Sequence, residues 1–111
     1  MTDGERDRLR VLFAAMSIHT RFALDYALGF YRWYAVHAGL NPSDFAKEHV
    51  ENLRIILCQI PDHEPSDDDR LRAALSLLPD AFKAMLLFVF RGLVNKPVRL
   101  WKTVSESYTE S

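Results

Sequence analysis

Cysteine is nearly absent from this sequence: Cys58 is the one thiol among 111 residues. That excludes an intramolecular disulfide and suits a reducing compartment. Glycine is scarce as well, with 4 residues, and none builds a phosphate-cradling loop or a Gly-x-Ser-x-Gly elbow. Surplus charge is missing, since 14 basic and 15 acidic side chains leave a net charge of −1. A dedicated nucleic-acid binder carries a large basic excess instead. Long apolar runs are missing too. Residues 22–38 are interrupted by Asp25 and Arg32, and residues 81–94 by Lys83 and Arg91. Both stretches fall short of the roughly 20 apolar residues a bilayer needs. The charged start, Asp3 to Arg10, has no apolar core of the signal-peptide kind. The expectation is a cytoplasmic chain with no membrane contact.

What is present is apolar and helical. Apolar types make up 49% of the chain and aromatics 12%, enough for one domain with a real core. No alternating strand pattern occurs, so the fold class is all-α. Residues 1–111 form a single helical domain, with 1–4 and 109–111 frayed. Punctuation divides it into four or five helices. The first covers residues 5–38 and stops at Gly39, a residue suited to a left-handed cap. The second opens at Asn41-Pro42-Ser43-Asp44, a capping sequence, and ends near Gln59. Phe45, His49, Leu53, Ile56, Leu57 and Ile60 form its buried face. Ser66 caps the third, with Asp67, Asp68 and Asp69 at the positive end of its dipole. Pro79 either kinks a long helix or starts a new one, and a new one is preferred. Residues 81–94 read as a central helix wrapped by the others. A last segment opens near Pro97 and uses Leu100, Trp101, Val104 and Tyr108.

The first segment is too long for its domain. A straight helix over residues 5–38 runs about 50 Å, against a domain diameter of roughly 35 Å. It therefore projects, or it kinks, with Gly29 the candidate position. Arg10, Ser17, Arg21, Asp25 and Arg32 make one narrow polar strip. Opposite lies an apolar arc of roughly 200°, twice the usual stripe. Ala23 and Ala27 sit within that arc and permit close helix approach. Individual aromatics at helical spacing are core residues by default, but the width and length of the whole face point to an interface. Phe22, Tyr26, Phe30, Tyr31 and Trp33 are the candidate interface residues, because aromatic anchors dominate such contacts.

Catalytic and metal chemistry find no foothold. His19 and His37 share a face but stand about 27 Å apart on a helix, and His49 reads as a core histidine. His63, Asp62, Glu64 and the aspartates Asp67 to Asp69 lack the glycine and final glutamate of a calcium loop. They read as a solvated loop and helix cap. Cys58 has no neighbour that would activate it. No catalytic residue, metal site or cofactor is expected, and the chain is not expected to be an enzyme. Lys96, Arg99 and Lys102, around Trp101, make a small basic patch. It is read as covering a helix end and answering the acidic loop, rather than as a nucleic-acid site.

A small, non-catalytic, all-helical chain with surplus apolar helix face resembles the bacterial quorum-sensing antiactivators. The likeness lies in the length, the aromatic stretch Phe22-Ala-Leu-Asp-Tyr-Ala-Leu-Gly-Phe-Tyr-Arg-Trp-Tyr34, and the succession of helices to Trp101. No motif fixes a correspondence of functional residues. The resemblance implies a helical homodimer that binds the ligand-binding domain of a LuxR-type transcription regulator. Such a repressor blocks the regulator's dimerisation and hence its DNA binding. A helical secretion chaperone or adaptor is the alternative, and a small DNA-associated protein a third.

Overall fold

The computed structural model describes residues 2–37, 39, 41, 45–60, 64–91 and 106. Among them lie five α-helices, one short 3-10 turn and no strand: α1 (Asp3–Ala15), α2 (Ile18–His37), α3 (Lys47–Gln59), α4 (Asp68–Leu77) and α5 (Asp80–Phe90). The all-α, single-domain expectation holds. The basic patch at Lys96, Arg99 and Lys102, the loop residues Asp62 and His63, and the last helix lie outside the described residues.

The long first segment is two helices, not one. Thr2 and Glu5 start α1 with a reciprocal capping box, each side chain accepting the other's backbone N–H at 3.1 Å. At Met16 the backbone turns extended, with φ −77° and ψ 154°. The Met16 side chain enters the core, and α2 starts afresh two residues later. The break therefore falls at Met16–Ser17 rather than at Gly29, which sits within an unbroken α2. This fold-back gives a radius of gyration of 13.3 Å and a body of 33 × 32 × 26 Å. At the other end Gly39, at φ +98°, donates its N–H to the Tyr34 carbonyl at 3.1 Å. That is the left-handed cap its position predicts.

Two other helix starts also move. The described part of the second predicted helix begins at Lys47, and its N-cap Ala46 makes no side-chain bond; Pro42, Ser43 and Asp44 of the predicted capping sequence lie outside the described residues. The Phe45 ring is drawn into the core against Tyr34, with ring centres 3.8 Å apart, and Ala46 stays extended behind it. Ser66 caps nothing. It sits exposed in the 3-10 turn Pro65–Asp67, and α4 follows at Asp68. Pro79 does separate two helices, standing as the N-cap of α5.

The core lies where α2, α3, α4 and α5 meet. Leu24, Leu53, Leu71, Leu75, Phe82, Met85, Leu86 and Val89 are buried almost completely. Helix α1 packs along α4, while α5 contacts both α2 and α3, as expected of a central helix. Arg54 of α3 fixes the end of α5. Its guanidinium donates to the Val89 carbonyl at 2.8 Å and the Phe88 carbonyl at 3.2 Å, both in the last turn of the helix.

Candidate protein-binding face

Asp67 holds the α1–α2 break, and α2 is thereby aimed. Asp67 is 1% exposed, in place of the solvated cap that its acidic neighbourhood suggests. One carboxylate oxygen accepts the Ser17 N–H at 3.0 Å, the Ser17 hydroxyl at 2.7 Å and the Thr20 hydroxyl at 2.8 Å. The other faces Arg70 at 3.4 Å. Burial alone raises the pKa of this carboxyl. The Ser17 and Thr20 hydrogen bonds and the Arg70 charge outweigh it, and the pKa lies below the ordinary value. The start of α2 is thus capped by a residue of another element, where the positive helix end favours a carboxylate.

From that fixed start α2 presents two faces. Ala23, Leu24, Ala27, Leu28 and Tyr34 are buried in the core, so the close approach that the two alanines permit is used within the chain. On the outer side, Phe22, Tyr26, Gly29, Trp33 and Val36 follow at alternating spacings of four and three residues. That alternation is the seam of a paired helix, and on a helical wheel it occupies an arc of about 80°. Phe22 is 55% exposed, Trp33 43% and Val36 79%. Ile18, 71% exposed, extends the apolar surface toward the start of the helix.

The five candidate interface residues separate accordingly. Phe22, Tyr26 and Trp33 stand on the exposed seam. Phe30 and Tyr31 are half-buried: Phe30 meets Phe45 with ring centres 6.0 Å apart, and Tyr31 meets the buried Phe82 edge-on at 5.5 Å. Around Gly29 the rings of Tyr26, Phe30 and Trp33 leave a shallow cleft of about 370 Å³. A Cβ placed on Gly29 would meet nothing within 4 Å. The remaining seam members, Gly29 and Val36, are legible only once the four-and-three spacing is traced through an aromatic-rich stretch.

Polar groups border the seam. Asp25 and Arg32, seven residues apart, lie on one edge, and neither forms an ion pair among the described residues. On the other side the Trp33 ring touches His37 and His49, with ring centres 5.5 and 5.0 Å away. His49 is half-buried. Cys58 is half-buried as well. Among the described residues no three histidine, cysteine or acidic side chains gather as a metal site. No described helix is long and apolar enough to cross a membrane.

No protein-family model, curated protein or solved structure matches this chain.

Proposed function

We infer that the chain is a non-catalytic protein-binding inhibitor that works by helix pairing, in the manner of the quorum-sensing antiactivators it resembles. Its target is the ligand-binding domain of a LuxR-type transcription regulator in the cytoplasm. Occupying that domain's dimerisation surface prevents the regulator from binding DNA. One observation carries the reading: the α2 seam of Phe22, Tyr26, Gly29, Trp33 and Val36 is apolar, spaced for a partner helix and exposed among the described residues. Covering apolar surface contributes roughly 25 cal/mol per Å², and aromatic anchors carry the largest share of such contacts.

The same seam suits a homodimer. In an antiparallel pair crossing near Gly29, Asp25 of each copy comes beside Arg32 of the other, so the edge charges match twice about the two-fold. A parallel pair puts the two Asp25–Arg32 edges on opposite sides of the seam, where neither charge meets its counterpart. Pairing with a second copy and pairing with the regulator then compete for one surface.

The test combines light scattering on the whole chain with a gel shift of a LuxR-type regulator on its operator. The expected results are a mass of two chains and loss of the shifted band as the chain is added. A Phe22→Ser, Trp33→Ser variant should be monomeric and leave the band intact. A single-chain mass together with an unaffected band would sink the reading. Selective capture of an unfolded secreted substrate, with no effect on the regulator, would replace it with a chaperone role.

A further inference from the structure

A second cleft, of about 490 Å³, lies on the Asp25–Arg32 edge of α2, between that helix, α1 and the α4–α5 turn. Its apolar lining comes from Leu9 and Phe13 of α1, Leu28 of α2 and Leu78 of the turn. Leu28 and Leu78 are buried, and Leu9 and Phe13 half-buried, so this lining is continuous with the core. The polar lining is of mostly one sign. Arg6 and Arg10 stand on the α1 wall and Arg32 on the α2 wall, against the single carboxylate of Asp25. Arg10 has an exposed partner in Asp7 at 3.6 Å. Arg6 and Arg32 have no ion pair among the described residues.

Like charges on two exposed walls over an apolar lining repel one another and draw anions toward the gap. An anion between them relieves that repulsion, and guanidinium groups bind carboxylates through charge-assisted hydrogen bonds. The volume falls within the range of small-molecule sites, which combine apolar walls with a few polar groups. We propose that this cleft binds an amphipathic monocarboxylate, with an aliphatic chain on the leucine and phenylalanine lining and its carboxylate between the α1 arginines and Arg32. A bare anion leaves the lining uncovered, and a neutral lipid leaves the arginines unanswered.

The site shares Asp25 and Arg32 with the edge of the pairing seam but none of its apolar residues, so Phe22→Ser tests it independently of pairing. Isothermal titration of the whole chain with decanoate, below its micellar concentration, should show one site per chain. Decanol and acetate, which supply only the tail or only the charge, should bind at least about tenfold more weakly. Arg6→Gln combined with Arg32→Gln changes two residues at the protein surface and should weaken decanoate at least about tenfold, the least that losing even one charge-assisted hydrogen bond costs. Phe22→Ser, on the seam, should leave decanoate affinity unchanged. Equal binding of decanol and decanoate, an unaffected double variant, or loss of decanoate binding in Phe22→Ser would each overturn the assignment.

Discussion

Ser17 and Asp67 stand 50 residues apart in the chain, yet the Asp67 carboxylate accepts both the backbone N–H and the hydroxyl of Ser17, at 3.0 and 2.7 Å. This joint turns one over-long apolar segment into two helices that fold against each other. It also decides which face of α2 enters the core and which remains outside.

Removing the acceptor strips the half-buried Ser17 N–H of its partner and leaves the Ser17 and Thr20 hydroxyls only each other. Asp67→Ala should therefore destabilise the fold by about 3 kcal/mol. Asp67→Asn, which keeps one acceptor oxygen, should cost less. Urea denaturation midpoints at neutral pH check both values, and a cost below about 0.5 kcal/mol for the alanine variant would contradict the capping role.

The joint also makes stability depend on pH. The folded pKa of Asp67 lies below its unfolded value, so the unfolded chain binds the proton more readily. The stabilisation is complete above the ordinary aspartate pKa of about 3.9 and is lost as pH falls through the folded value. Wild type should lose more stability than Asp67→Asn between pH 6 and pH 3, as buffer settings. Parallel pH profiles for the two proteins would place the acid sensitivity elsewhere.

Gly29 separates folding from pairing. Its Cβ position is open and it lies mid-helix, so Gly29→Ala should raise stability by up to about 1 kcal/mol. Gly29→Leu fills the cleft between Tyr26 and Trp33 and should weaken pairing while the domain stays folded. Circular dichroism melting and sedentation by ultracentrifugation read the two effects independently. A leucine variant that pairs as well as wild type would remove Gly29 from the interface.

Arg54 tests the closure of α5. Arg54→Met preserves the apolar stem but removes the donors to the Phe88 and Val89 carbonyls, at an expected cost of about 2 kcal/mol. Arg54→Lys retains the charge without the planar fork and should recover only part of it. Thermal melts of the three proteins give the order directly.

Sequence alone determines the helical class, the cap at Gly39 and the excess of aromatic surface, and it favours a helix boundary at Pro79. These follow from local periodicity and from residues whose backbone preferences are strong in any context. It also marks Phe22, Tyr26, Phe30, Tyr31 and Trp33 together, since a helix carrying so wide an apolar arc cannot bury every side at once. Tertiary structure alone decides where the long segment breaks, because the acceptor for Ser17 comes from a distant element and no local rule can supply it. It likewise decides that Phe30 and Tyr31 turn toward Phe45 and Phe82, that Phe45 delays the start of α3, and that Asp67 is buried. Each of these depends on which distant surface reaches the side chain first. A local pattern states what a helix must bury, and packing chooses what it leaves exposed.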